Sequence, residues 1–217
     1  MKIDLHCHTK YSKDAMSSLD DIFKVLKKKG IDGIAITDHD NINGWNDARE
    51  VSKKHNMQVI LGEEIKSKNG DILGLFLKKE ILMRNEDPEK IINEIHAQNG
   101  LAIIPHPFDI KKPFRNIESY LNIIDGIEIF NARRFLDSEN DKAKELAEKY
   151  PNLIISAGSD SHISSTAGSA YIESYATNLD DFRKNLERKE VKWFGKKTSM
   201  IYLLIPTIKK LKNKFFK

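Results

Sequence analysis

The residues able to do chemistry in this chain are His6-x-His8, Asp38-His39-Asp40, Glu63-Glu64, His106, Glu128 and Asp160-x-His162. Imidazole and carboxylate suit zinc, manganese or iron, whereas a soft cation such as Cu(I) would want sulfur. In His-x-His both rings leave the same side of an extended chain, because side-chain direction repeats every two residues. One cation can then take both. Asp160-x-His162 has the same spacing and could serve one metal or two neighbours. Five of the seven histidines fall in this set. His55 and His96 lie on predicted helices and read as structural or solvent-facing. A lone strand-end histidine is more often a hydrogen-bonded structural residue than a ligand. The reading of a metal centre rests on repetition of the pattern.

What must position these groups is an alternation of short strands and helices. Apolar runs at 3–5, 33–37, 58–61, 72–77, 101–104, 127–130 and 153–156 read as strands, with one more at 170–172. Helices are predicted at about 19–29, 44–55, 87–100, 117–123, 137–149 and 179–188. Repeated strand–helix units predict parallel strands and helical crossovers. With about seven such units the expected fold is α/β, a closed or nearly closed barrel, whose chemistry sits at the C-terminal ends of the strands. The candidate ligands fall at those ends: His6 and His8 after the first run, Asp38–Asp40 after the second, Glu63 and Glu64 after the third. His106, Asp160 and His162 continue the series, and Cys7 should point to the opposite, core-facing side.

The chain has 217 residues, enough for one domain. Its single cysteine excludes an intramolecular disulfide and a Cys-rich zinc module, and fits a reducing compartment. No apolar run is long enough to cross a membrane, and the first residues lack the apolar stretch of a signal peptide; a cytoplasmic location is expected. The net charge of +4 is unevenly spread. No acidic residue follows Glu190, so the last 27 residues carry +8 and the body carries −4. This divides the chain into a barrel domain at 1–190 and a basic amphipathic tail at 191–217. The tail is expected to close on the barrel as a helix; the alternative is peripheral contact with acidic lipid. Nucleic acid is disfavoured, since aromatics are few and the body is acidic.

The ordered motifs resemble one family. His6-Cys7-His8-Thr9 with Tyr11-Ser12 and Asp14, then Thr37-Asp38-His39-Asp40, Pro105-His106-Pro107 and Gly158-Ser159-Asp160-Ser161-His162 resemble the four motifs of the PHP (polymerase and histidinol phosphatase) domain superfamily. The resemblance spans about 1–190 and implies a distorted (β/α)7 barrel. It also implies a phosphoesterase with two or three divalent metal ions: zinc, manganese or iron, with magnesium a further candidate. Carried over by motif, His6, His8, Glu64 and Asp160 would hold the first metal. Glu64 would bridge to the second, with His106. Asp14, His39 and His162 would hold the third. Glu64 is preferred to Glu63 because the family pattern is Gly-x-Glu and Gly62 sets that register. Many members carry a further histidine before the next strand; this chain has Asp71 nearby, which either substitutes as an oxygen ligand or leaves a more open second site.

Arg115 and Arg133 lie in stretches similar to those of one group of small PHP proteins, and a guanidinium matches phosphate bidentately. Arg134 has no such parallel. Glu128 and Asn131 could orient ligands, and Ser12, Ser159 and Ser161 read as hydrogen-bonding residues rather than nucleophiles. The expected activity is hydrolysis of a small phosphomonoester by metal-activated water: a nucleotide, nucleoside bisphosphate, sugar phosphate or histidinol phosphate. Arg115, Arg133, His39 and Asp160 are the expected catalytic set. The alternatives are a metal-dependent 3′–5′ exonuclease, or a non-catalytic, metal-stabilised binding module tethered by its tail.

Overall fold

The computed structural model describes residues 1–199, 201 and 202. Residues 203–217, with most of the expected tail helix, lie outside the described residues. Nine strands are present among the described residues: β1 (Lys2–Cys7), β2 (Gly33–Ile36), β3 (Gln58–Lys66), β4 (Asp71–Leu75), β5 (Leu101–Ile104), β6 (Gly126–Asn131), β7 (Ile154–Gly158), β8 (Ala170–Glu173) and β9 (Lys192–Gly195). Five α-helices accompany them: α1 (Leu19–Lys28), α2 (Trp45–His55), α3 (Pro88–Ala97), α4 (Asp137–Lys149) and α5 (Leu179–Glu187). Helix starts follow local chemistry. Ser18 caps α1, Asp87 caps α3 ahead of Pro88, and Asn178 caps α5, each side chain accepting a first-turn N–H.

The strands form one sheet in the order β7-β6-β5-β4-β3-β2-β1-β8-β9, curved into a nearly closed barrel. The expectation of parallel strands throughout is corrected. β1–β2–β3 and β5–β6–β7 are parallel, but β4 is antiparallel to both β3 and β5, and β8 to both β1 and β9. The physical reason is loop length: the short Ser67–Gly70 turn leaves no room for a helical crossover, so β3 and β4 pair as a hairpin. The helix expected at 117–123 is a short 3-10 turn, Ile117–Tyr120. Lys192–Gly195, grouped by composition with the tail, is a strand, with Phe194 stacked on Tyr171 of β8 and Trp193 on Phe130 of β6.

The barrel closes where β7 runs out against β1. The Asp160 N–H donates to the His6 carbonyl (2.8 Å), and the His8 N–H to that of Ser161 (3.0 Å). One apolar layer packs α1, α2 and α3 on Cys7, Ile34, Ile36, Ile65, Ile72 and Ile104. On the other side of the sheet Ile3, Leu5, Ala35, Ile60, Leu73 and Ile103 form a second cluster with Phe182 and Leu186 of α5. Both layers stop short of one rim, where the polar groups gather. No described helix is long and apolar enough to cross a membrane.

Candidate metal centre

A bulge in β1 sets the site. Between Asp4 and Cys7 the register with β2 slips by one residue. Ile3 and Leu5 belong to the second apolar cluster, yet after the bulge Cys7 belongs to the helix-side one. His6 and His8 are thereby aimed together into the rim, both fully buried. Cys7 is core, as alternation predicted.

The outer nitrogen of each ring is occupied. His6 Nδ1 lies 3.1 Å from Glu128 Oε1, so it carries the proton and donates. His8 Nδ1 lies 3.3 Å from Ser12 Oγ. That hydroxyl spends its own proton on Asp38 Oδ1 at 2.7 Å, so His8 Nδ1 donates to it. His162 Nδ1 donates to the Asp160 carbonyl at 3.0 Å. Three rings therefore turn lone pairs inward from Nε2, an orientation that metal-ligating histidines take when their other nitrogen is held. His6 Nε2 and His8 Nε2 are 3.1 Å apart. With both protons on Nδ1, two acceptors face each other, and a cation between them resolves the conflict.

Glu64 is central. Its Oε2 lies 3.2 Å from His8 Nε2, 3.5 Å from His6 Nε2 and 2.9 Å from His39 Nδ1, and its Oε1 lies 3.1 Å from His106 Nε2. Yet Oε2 is buried without a hydrogen bond, as is Asp14 Oδ1. Buried oxygens left in this way fit cation binding. Asp160 Oδ1 lies 3.4 Å from both His8 Nε2 and His162 Nδ1. Asp14 Oδ2 lies 3.4 Å from His162 Nε2 and 3.7 Å from His39 Nε2. Four groups bring ligand atoms within 4.8 Å of one another: His6/His8/Glu64, His6/His106/Asp160, Glu64/Asp71/His106 and His8/His39/His162. His106 and Asp160 hold positive φ (31° and 49°), the kind of backbone strain that gathers at functional sites.

Charge follows the same geometry. Burial pushes the Glu64 and Asp160 carboxyls up, but nearby His39 and His6, respectively, outweigh it and hold both well below the usual range. Burial opposes a proton on His39, yet the Glu64 carboxylate pushes that ring up to about 9. Burial, reinforced by His8, pushes His162 down to about 4. Asp71 is raised by burial and then by Glu64. These are the signs of carboxylates crowded together and leaning on imidazoles for positive charge.

The structure thus brings together His6, His8, Asp14, His39, Glu64, Asp71, His106, Asp160 and His162. Glu63 and Glu64 lie within β3 rather than beyond it. Glu63 faces the other way, accepting the Ile81 N–H. Glu128 Oε2 accepts from the His106 N–H and Asn131 Nδ2, so Glu128 orients two ligands. His55 and His96 pair with Asp20 and Asp125, away from the cluster. Arg133, its side chain 28% exposed, stands at the rim with Nη1 3.3 Å from His162 Nε2 and 3.7 Å from Asp160 Oδ1. Arg115 is not brought in: its exposed guanidinium bonds the Lys68 carbonyl and touches none of the cluster. Sequence reasoning missed two features. Arg134 is buried against Asp160, a placement that nothing in the sequence signalled. Thr198 and Tyr202 line a small cavity with Arg133, Asp160 and His162, which only the position of β9 reveals.

Comparison with known proteins agrees with this geometry. An uncharacterized protein of Methanocaldococcus jannaschii, MJ1587, is 41% identical over 143 residues, covering 61% of this chain and 82% of its own. In fold, the chain is similar to a two-domain Bacteroides vulgatus protein described as containing a predicted PHP-like metal-dependent phosphoesterase (TM-score 0.76, 18% identity, covering 97% of this chain and 69% of that one). It is also similar to the lesion-specific endonuclease PfuEndoQ of Pyrococcus furiosus (TM-score 0.67, 17% identity, covering 88% and 57%). The PHP domain profile matches residues 4–190, and with this coverage the chain belongs to the PHP domain family.

Proposed function

We propose that the chain hydrolyses a small phosphomonoester, such as a nucleotide, nucleoside bisphosphate, sugar phosphate or histidinol phosphate. The observation that carries this reading is the pair of inward Nε2 lone pairs 3.1 Å apart, beside the unpartnered Glu64 Oε2 and beneath Arg133. His6, His8, Glu64 and Asp160 would hold one cation. Glu64, His106 and Asp71 would hold a second. Asp14, His39 and His162 would hold a third, with His8 in reach. Zinc, manganese or iron bound there supplies positive charge for the phosphoryl oxygens and lowers the pKa of attacking water.

The chain's own residues do the rest. Arg133 offers a guanidinium to a phosphoryl oxygen, a charge-assisted contact. Glu128 and Ser12 keep the protons of His6 and His8 on Nδ1, so that neither ring turns. The leaving oxygen needs a proton or a positive charge, and His39, on the half-exposed rim, would meet that need either by carrying a proton on Nε2 when the third cation is absent or by holding that cation. Buried Asp38 accepts from Thr9 and Ser12 and keeps that loop in place.

The test is phosphate release from a panel of phosphomonoesters with added Mn2+ or Zn2+, alongside labelled single-stranded DNA. Release from at least one monoester, lost on chelation and restored by metal, is expected. No turnover at full metal occupancy refutes the proposal. Shortening of the DNA alone would transfer it to a nuclease.

A further inference from the structure

Arg133 and Arg134 are neighbours with opposite surroundings. Arg133 is at the rim, whereas the Arg134 side chain is only 9% exposed and lies between two carboxylates. Its Nη2 donates to Asp160 Oδ2 at 2.9 Å, its Nη1 to Asp109 Oδ2, and its Nε to Asn131 Oδ1 at 3.2 Å. All three arms of the guanidinium are used. Asn131 Nδ2 adds a second bond to Asp160 Oδ2 at 3.3 Å. Asp160 is thereby divided: Oδ2 faces Arg134 and Asn131, and Oδ1 alone faces His6, His8 and His162.

We propose that Arg134, braced by Asp109, is a positioning residue that restricts Asp160 to a single metal-facing oxygen. This rests on the metal centre described above, but not on the identity of any substrate. Without the brace the carboxylate would be free to turn about its Cβ–Cγ bond and offer both oxygens or neither. The brace also brings no net charge, since Asp109 offsets Arg134. Burial raises the Asp109 carboxyl, but Arg134 outweighs it and holds the carboxyl below its ordinary value, as an ion pair requires.

Because charge matters, the test keeps it constant. Arg134→Lys retains the positive charge but cannot hold Asp160, Asp109 and Asn131 in one plane. The double variant Arg134→Gln/Asp109→Asn removes one charge of each sign. Mn2+ affinity of the full chain is measured by competition with a fluorescent chelator, with no substrate present. Loss of an outer partner of a metal ligand typically costs about 10–100-fold in affinity. About tenfold weaker binding is expected for the lysine variant, and more for the double variant. A merely structural role would lower the melting temperature and leave the affinity of the folded protein unchanged. Wild-type affinity in either folded variant overturns the proposal, and if the double variant does not fold the lysine variant decides. Weakened Mn2+ binding in a chain that hydrolyses no phosphoester would refute the proposed function and leave this inference standing.

Discussion

Gly158 ends β7 where that strand meets β1, and its replacement by alanine tests how the site is held. The new Cβ would fall 2.3 Å from His6 Cβ, 2.7 Å from the His6 nitrogen and 3.0 Å from Glu128 Oε1. Carbon atoms in contact sit at about 3.5–4.0 Å, so the strands must part by about 1.2 Å at this point. Nothing there is the loose end of a side chain. Parting the strands strains the bonds from Asp160 N to the His6 carbonyl (2.8 Å), from Ser159 N to Asp4 Oδ1 (2.9 Å) and from Ala132 N to the Gly158 carbonyl (3.0 Å). At about 1 kcal/mol for each buried bond the cost is about 3 kcal/mol, within the range known for overpacking. For a chain of this size that lowers the melting temperature by about 6–12 °C. Melting with EDTA present isolates this effect from metal binding. His6 would also move, so Mn2+ affinity should fall in the same variant. Gly30→Ala is the control: φ there is +67° with no atom within 4 Å of the new Cβ, so it should cost about 1–2 kcal/mol of backbone strain and leave Mn2+ binding alone. A Gly158→Ala protein that melts within about 2 °C of wild type and binds Mn2+ normally would refute the idea that the β7–β1 contact fixes the ligands.

Three further outcomes are expected. Metal at 100 times its dissociation constant should stabilise the chain by about 2.7 kcal/mol, or about 5–11 °C in melting temperature, and EDTA should remove that gain in a calorimetric scan. Arg133→Gln should lower kcat/KM by about 10–150-fold, the worth of a hydrogen bond to a charged group, with metal content by elemental analysis unchanged. Arg115→Gln should lose less than Arg133→Gln in the same assay, since Arg115 engages the Lys68 carbonyl; an equal loss would place Arg115 on the substrate.

Much of the site was legible because its ligand types are few and recur at strand ends. His6, His8, His39, His106, Asp160 and His162 each follow a short apolar run, and each reaches the rim. What the residues themselves left open concerns direction. Glu63 and Glu64 both lie in β3, and alternation sends one to the Ile81 N–H and the other to four imidazoles. Alternation says that they diverge but not which one turns inward; only the Gly62 register of the family singled out Glu64, the one that faces the imidazoles. Arg133 and Arg134 pose the same problem at the end of β6, where their differing burial depends on Asp109, which lies 25 residues from Arg134 in the chain.

The β1 bulge shows why such directions escape a periodicity argument. Counting by twos from Ile3 and Leu5 places His6 on the opposite face from them, among the helices. That would bury an imidazole in an apolar layer beside Ile34 and Ile36, with Glu128 out of reach. One extra residue in β1 removes the conflict. It lets Ile3 and Leu5 fill the apolar cluster and lets His6 and His8 leave from the same side a step later. β6 slips by one residue in the same way between Glu128 and Phe130, so the ring and the carboxylate that orients it both sit at irregularities. A regular strand is built by a repeating pattern that the sequence displays. A ligand is aimed by a departure from that pattern, which is set by neighbours distant in the chain. Removing Leu5, the one residue between Asp4 and His6, would restore regular pairing and still leave His6 and His8 on the same side as Ile3, so that variant should lose the Leu5 packing and melt lower but keep its Mn2+ binding. If the deletion variant folded but no longer bound Mn2+, the side of β1 from which His6 and His8 leave would not be what aims them.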